Sequence, residues 1–169
     1  PSTGKTTLVK FLAERYSTVW MPEYGAEYWL ANQQNHRLNL QQLVEIARGH
    51  LEREKNKLLQ ARNILFTDTN VLTTCVFSHY YHGKTAPELE ELVQNHARRY
   101  DHYFLCDTDI PFADTWDRSG PASRETMQTM IIDDLEKREI DFTIVRGSVE
   151  QRARQVAEIL RSGLFNKLF

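Results

Sequence analysis

Ser2-Thr3-Gly4-Lys5-Thr6-Thr7 brings together residue types that grip phosphate. Ser2 to Thr6 fit the last part of the pattern G-x-x-x-x-G-K-[ST], whose first glycine would fall two residues before Pro1. A helical pattern follows at once, so backbone N–H groups and the positive helix end are aimed at phosphate oxygens. Gly4 permits close backbone approach, Lys5 reaches the β and γ phosphates of a nucleotide as a point charge, and the Thr6 hydroxyl suits Mg²⁺. The competing reading is a chance Gly-Lys-Thr at a helix start, and it leaves the helix and the carboxylate-tipped strand downstream without a reason.

A phosphoryl-transfer site also needs a carboxylate for Mg²⁺ or its waters, and often a second to accept the attacking hydroxyl's proton. Glu23 and Glu27 follow the short apolar run Val19-Trp20-Met21, and Asp68 closes Ile64-Leu65-Phe66-Thr67. Ligands bind at the carboxyl ends of parallel strands. For Asp68 the bland alternative is an N-cap before a helix over 70–81. Glu27 falls four residues after Glu23, on the same helical face, as a partner or a solvated charge. Which of Asp68 and Glu23 takes the proton is open at this stage.

Arg118 and Arg124 flank Asp117-Arg118-Ser119-Gly120-Pro121-Ala122-Ser123-Arg124, a loop able to close over a nucleotide and neutralise developing charge. Ser123 reads as the N-cap of the next helix. Both arginines could equally be ordinary surface residues. Tyr24, Tyr28 and Trp29 could stack a flat base or a small cyclic cation, although aromatics at helical spacing are more often core. His79 and His82 stand at i, i+3 without a third ligand nearby in sequence, so they are not read as a metal site.

The elements that must hold these groups alternate. Helical spacing predicts helices over 5–15, 24–34, about 20 residues from Leu40, 70–81 and 87–99. Further helices follow around Met127 to Leu135 and Val149 to Leu160. From Leu40, the residues Leu40, Leu43, Val44, Ala47, Leu51 and Leu58 define an inner face, with Arg48, Glu52, Arg53, Glu54, Lys55 and Lys57 as a solvated one. Apolar strands are expected at 19–21, 63–68, 102–106 and 142–145, and a long polar loop at 107–124. Alternating strands and helices predict an α/β fold with a parallel sheet, organised as one domain over 1–169. The strand before a phosphate loop lies mid-sheet in such folds. That strand would precede Pro1, so a gap in the sheet beside the first helix is expected.

Composition agrees. With 169 residues and 41% apolar content, the chain is long enough for one buried core. The charge, 21 Lys plus Arg against 23 Asp plus Glu for a net −2, argues against general nucleic-acid binding. Apolar runs stop at four residues, far short of the ~20 of a membrane helix. Two cysteines, Cys75 and Cys106, each inside an apolar run, imply no disulfide framework and point to the cytoplasm.

Four segments, taken in order and spacing, resemble the NadR-type ribosylnicotinamide kinase domain, grouped among AAA-named P-loop ATPases. They are Ser2 to Leu8, Pro22-Glu23-Tyr24-Gly25-Ala26-Glu27-Tyr28, Phe66-Thr67-Asp68-Thr69-Asn70, and Asp109-Ile110-Pro111-Phe112 to Arg118. The resemblance spans the chain. It implies a three-layer P-loop kinase-like fold and ATP- and Mg²⁺-dependent phosphorylation of nicotinamide riboside at its 5'-hydroxyl, giving nicotinamide mononucleotide. Carried over by position, Ser2, Thr3, Gly4, Lys5, Thr6 and Thr7 would hold nucleotide, with Thr6 and Asp68 for the metal. Glu23, Tyr24, Glu27, Tyr28, Asp68 and Asn70 would face the riboside, and Arg118 with Arg124 would form the lid. Lys5, Asp68, Glu23 and Arg118 would be catalytic. A fused NAD-biosynthesis domain outside this chain is a further implication. The chain departs at Ala26, where the family commonly carries Arg. Alternatives are a kinase of another nucleoside or nucleotide, and an ATP-sensing regulatory ATPase.

Overall fold

In the computed structural model, which describes residues 2–33, 37–111 and 121–164, helix α1 (Lys5–Arg15) starts directly after Gly4. Gly4 has φ +77°, a left-handed conformation that turns the chain into the helix at little cost for glycine alone. The other elements follow as β1 (Trp20–Met21), α2 (Tyr24–Asn32), α3 (Leu40–Leu58), β2 (Phe66–Thr67), α4 (Val71–His82) and α5 (Pro87–His96). A 3₁₀ turn (Ala97–Arg99) leads to β3 (Tyr103–Cys106), then α6 (Pro121–Lys137), β4 (Phe142–Val145) and α7 (Val149–Ile159). No helix among the described residues is long and apolar enough to cross a membrane.

The helix starts have local causes. Asn39 and Gln42 form a reciprocal capping box at α3, and Ser148 and Gln151 form another at α7. Pro87 opens α5 with its φ already set for a helix. Pro121 does the same for α6, so Ser123 lies inside the first turn and is not the N-cap expected of it. The run at 63–68 pairs in a ladder only at Phe66–Thr67, because Asn63 takes a φ of +61° and bends the chain before it.

Both strand pairs are parallel. Trp20 stands opposite Phe66 and Met21 opposite Thr67, while Tyr103 to Cys106 align with Phe142 to Val145. Alternation along these strands serves two cores. Tyr103 and Phe142 pack on a cluster built from α3, α4, α5 and α6, with Val44, Val71, Leu89, Val93 and Leu135 at its centre. Phe66, Cys106 and Val145 join Leu8, Leu12, Ala153 and Val156 of α1 and α7 in a second cluster. Helices thus cover both faces, the three-layer arrangement of a P-loop kinase-like α/β fold.

The α3 faces differ from expectation at two positions. Leu58 is 54% exposed, whereas Glu54, expected in solvent, is 3% exposed. Glu54 accepts a hydrogen bond from Tyr100 at 2.8 Å and an ion pair from Arg99, contacts with a segment more than forty residues away that draw the carboxylate inward. Burial alone would raise its pKa, but the bonds from His50, Tyr100 and Arg99 outweigh that and hold it below the ordinary value.

Among the described residues β2 and β3 share no ladder, and a cavity of about 510 Å³ reaches Phe66 and Thr67 on one side and Tyr103 to Cys106 on the other. Its floor includes Leu8 and Leu12 of α1.

Candidate functional site

The carboxyl ends of the strands and the start of α1 meet at the polar end of that cavity. Thr3, Lys5, Asp68, Asn70 and Arg124 all line it. Thr6, in the first turn of α1, donates its hydroxyl to Oδ2 of Asp68, joining the start of α1 to the end of β2. The Asp68 backbone N–H continues the β1–β2 pairing by donating to the Met21 carbonyl at 2.8 Å, which fixes where the carboxylate sits. Asp68 is 1% exposed, and its Oδ1 has no hydrogen-bond partner among the described residues. A buried carboxylate oxygen without a donor is costly unless something else binds there. The next residue, Thr69, has φ +66°, an outlier for a β-branched side chain that places local strain beside this group.

Asn70, not Asp68, is the N-cap of α4. Its Oδ1 accepts from the Thr73 N–H at 3.2 Å, and its Nδ2 donates to the Tyr103 hydroxyl at 3.0 Å. Tyr103 in turn donates to the Ala97 carbonyl at 2.8 Å. Asn70 therefore ties α4 to β3 from within the site.

The loop arginine Arg124 is 8% exposed, in the first turn of α6. Its Nη1 donates to the carbonyls of Ile110 at 2.8 Å and Ser2 at 3.3 Å. It clamps the segment ahead of α1 to the segment after β3. Arg118 lies outside the described residues, as does the 112–120 stretch that carries it.

Glu23, Tyr24, Glu27 and Tyr28 gather beyond the carboxyl end of β1, beside the Asp68 end of β2, and are not on the cavity lining. Glu23 occupies the N-cap position of α2. Glu27 binds Arg53 of α3 through both oxygens, at 2.7 and 2.8 Å, and this bond chiefly holds its carboxyl below the ordinary range. The same guanidinium stands 4.1 Å from the Tyr24 ring centroid. Tyr28 meets Tyr24 edge-on with centroids 5.9 Å apart and donates its hydroxyl to Glu45. Burial followed by that bond to Glu45 pushes the Tyr28 phenol up to about 12.

The profile of the AAA domain family matches residues 1–152. The chain belongs to that family. Among curated proteins it is similar to the trifunctional NAD biosynthesis/regulator protein NadR of Escherichia coli (strain K12), 28% identical over 165 residues, covering 95% of this chain and 40% of that protein. The NadR of Salmonella typhimurium is 29% identical over 149 residues, covering 86% of this chain and 36% of its own length. The chain thus spans well under half of these relatives. Two solved structures share the fold across 94% of this chain. A NadR protein in complex with NR has a TM-score of 0.69 at 22% identity, and one in complex with NAD and AMP-PNP has 0.71 at 21%, with 48% and 46% of those chains covered.

One residue that holds this site together is absent from the sequence reading. Arg152 of α7 is 2% exposed and donates to the Thr3 carbonyl ahead of α1, to Asp109 and the Asp107 carbonyl after β3, and to the Gly147 carbonyl after β4. Asp109 returns a bond from the Gly147 N–H at 2.6 Å. Asp107 is held below its usual range, first by Arg146, whose Nε lies 2.5 Å away. The signal for Arg152 was available: it shares the α7 face of Val149, Ala153 and Val156, where a charge among apolar residues needs buried partners.

Proposed function

We propose that this chain is a single ATP-dependent kinase domain that phosphorylates the 5'-hydroxyl of nicotinamide riboside, giving nicotinamide mononucleotide in NAD salvage. The observation that carries the reading is the Thr6–Asp68 contact at the head of α1. It sets a hydroxyl and a buried, half-satisfied carboxylate beside Lys5, the donor set a phosphate-bound Mg²⁺ takes. The NadR relatives, and a NadR structure in complex with NR, support a riboside as the acceptor.

The residues fit Mg²⁺ because both donors are hard oxygens and Asp68 Oδ1 lacks a partner. Bound there, the ion would neutralise charge on the transferring phosphoryl group. Lys5 and the N–H groups opening α1 hold the β and γ phosphates, and catalysis comes mainly from positioning and charge neutralisation. Glu23, at the N-cap of α2 beyond the carboxyl end of β1, orients the riboside hydroxyl and accepts its proton. Tyr24 and Tyr28 flank the acceptor, while Glu27 acts through Arg53. Arg124 fixes the base of the loop whose Arg118 closes over the nucleotide. The setting is cytoplasmic, with no nucleic acid or membrane partner, and further NAD-biosynthesis activity belongs to a fused domain outside this chain.

The test is ADP release with ATP and Mg²⁺, with and without nicotinamide riboside and then with a nucleoside panel. Stimulation by nicotinamide riboside alone supports the reading. Equal stimulation by other nucleosides points to a broader nucleoside kinase, and stimulation by none to an ATP-sensing regulator. Lys5→Ala should cut turnover by roughly two to three powers of ten, the scale for losing one charge-stabilising donor. Unchanged turnover in that variant rejects the kinase assignment.

A further inference from the structure

We propose that Cys75, His79 and Glu90 form a site for one zinc-type divalent ion that ties α4 to α5, separate from the phosphate site. Cys75 and His79 stand one turn apart on α4, and Glu90 faces them from α5. One ligand atom from each lies within 4.8 Å of the other two. The Cys75 thiol donates to Glu90 Oε2 at 3.5 Å. A tetrahedral zinc about 2.3 Å from sulfur and about 2.1 Å from oxygen places those atoms roughly 3.6 Å apart, so this pair already has the right spacing.

The chemistry of the set is selective. Thiolate, imidazole and carboxylate together suit zinc and its neighbours, whereas Mg²⁺ and Ca²⁺ prefer oxygen alone. Glu90 is oriented from behind, because Arg138 donates to its other oxygen, Oε1, at 2.7 Å. Arg138 is itself held by Asp134 at 2.8 Å. Such outer bonds are what fix a ligating carboxylate. Charge also balances: a Cys75 thiolate, Glu90 and Asp134 carry three negative charges against one on Arg138, and a dication brings the group to zero.

Access is one-sided. Cys75 is 2% exposed, while His79 is exposed and leaves a fourth position to water. Burial pushes the thiol up to about 11, partly offset by a hydrogen bond with Thr85. Without an ion the proton stays on sulfur and faces Glu90; ion binding releases it to solvent as the Sγ–metal bond forms. In the sequence His79 stands beside His82 with no further ligand in view, because Glu90 comes from another helix and Cys75 reads as core; the structure gathers Cys75 and Glu90 around His79 and leaves His82 out.

Titration of the reduced protein with Co²⁺ tests the site. The expected result is a sulfur-to-cobalt charge-transfer band in the near-ultraviolet that saturates at one ion per chain. Cobalt at Thr6 and Asp68 has only oxygen donors and gives no such band. Cys75→Ser should abolish the band, Cys106→Ser should keep it, and His79→Ala should weaken Co²⁺ binding by at least about tenfold. Zn²⁺ alone should raise the melting temperature of the parent protein and do so much less for His79→Ala. No band with the parent protein, a band that survives Cys75→Ser, or unaltered Co²⁺ affinity in His79→Ala overturns the proposal. His79 is exposed, so its variant decides the matter even if Cys75→Ser fails to fold.

Discussion

The guanidinium of Arg152, on helix α7, donates to the carbonyl oxygen of Thr3 just ahead of α1, joining residues 149 positions apart. Its remaining donors reach the turns after β3 and β4, so one buried charge sets the relative positions of three segments at the carboxyl end of the strands, where the nucleotide is proposed to bind. Lysine keeps the charge but not the planar fork. Arg152→Lys should therefore cost about 2–3 kcal/mol of stability, from carbonyls left unpaired in a buried place. It should also lower kcat/KM for ATP at least tenfold, since small displacements of a phosphate-holding loop are expensive in rate. Urea melts and ATP-dependence kinetics measure both; an unchanged kcat/KM for ATP would show that Arg152 is only structural.

Asp68 combines burial with an oxygen that has no donor among the described residues. Asp68→Asn retains an acceptor for Thr6 while removing a buried charge. Stability should stay within about 1 kcal/mol of the parent, or rise, as expected where a group is kept for activity at the expense of fold stability. Turnover should fall by roughly a hundredfold or more. Calorimetry paired with the ADP assay separates the two effects. A large loss of stability with activity retained would assign Asp68 to the fold.

What the sequence disclosed followed from how local each signal was. Helix α1 and strands β3 and β4 begin and end where their apolar spacing does, because a glycine or a run of neighbouring apolar residues decides them. The partners of buried charges could not be read that way. Glu54 looks like one more solvated residue among Arg53, Lys55 and Lys57 until Arg99 and Tyr100 fold against it. Arg53, from the same charge run, instead reaches Glu27 on α2. The two carboxylates of the Glu23–Glu27 pair share a helix face in sequence, yet Arg53 engages Glu27 from an element with no sequence proximity. Strand β2 was overestimated because Asn63 adopts a left-handed turn that apolar neighbours conceal.

Glu54 carries a pH prediction. Its folded-state pKa lies below the ordinary value, since bonds from His50, Tyr100 and Arg99 outweigh the cost of burial. The unfolded carboxyl titrates near about 4.3. The stabilisation is therefore complete above about pH 5 and is lost as pH falls through the lower folded value. Glu54→Gln should lose about 3 kcal/mol at neutral pH, the scale for breaking a buried pair, and should flatten the acid limb of a stability-versus-pH curve. Denaturant midpoints measured between pH 7 and pH 3 on both proteins check this; parallel curves would remove Glu54 from the acid response.

Tyr24 rests against the backbone of α3 at Gly49, and this contact tests the proposed acceptor side of the site. A Cβ at Gly49 would overlap Cε1 of the Tyr24 ring and come within 3.0 Å of Cζ. Gly49→Ala gains about 1 kcal/mol of helix propensity, but the ring must move, and overpacking of this kind costs about 1–3 kcal/mol. Net stability should change little or fall by up to about 2 kcal/mol. The ring's displacement should disturb the Arg53 contact and raise KM for nicotinamide riboside severalfold, while KM for ATP stays put because Lys5 and Thr6 lie on another element. Two-substrate kinetics on Gly49→Ala read this directly. A rise in the KM for ATP with none for the riboside would move Tyr24 out of the acceptor pocket.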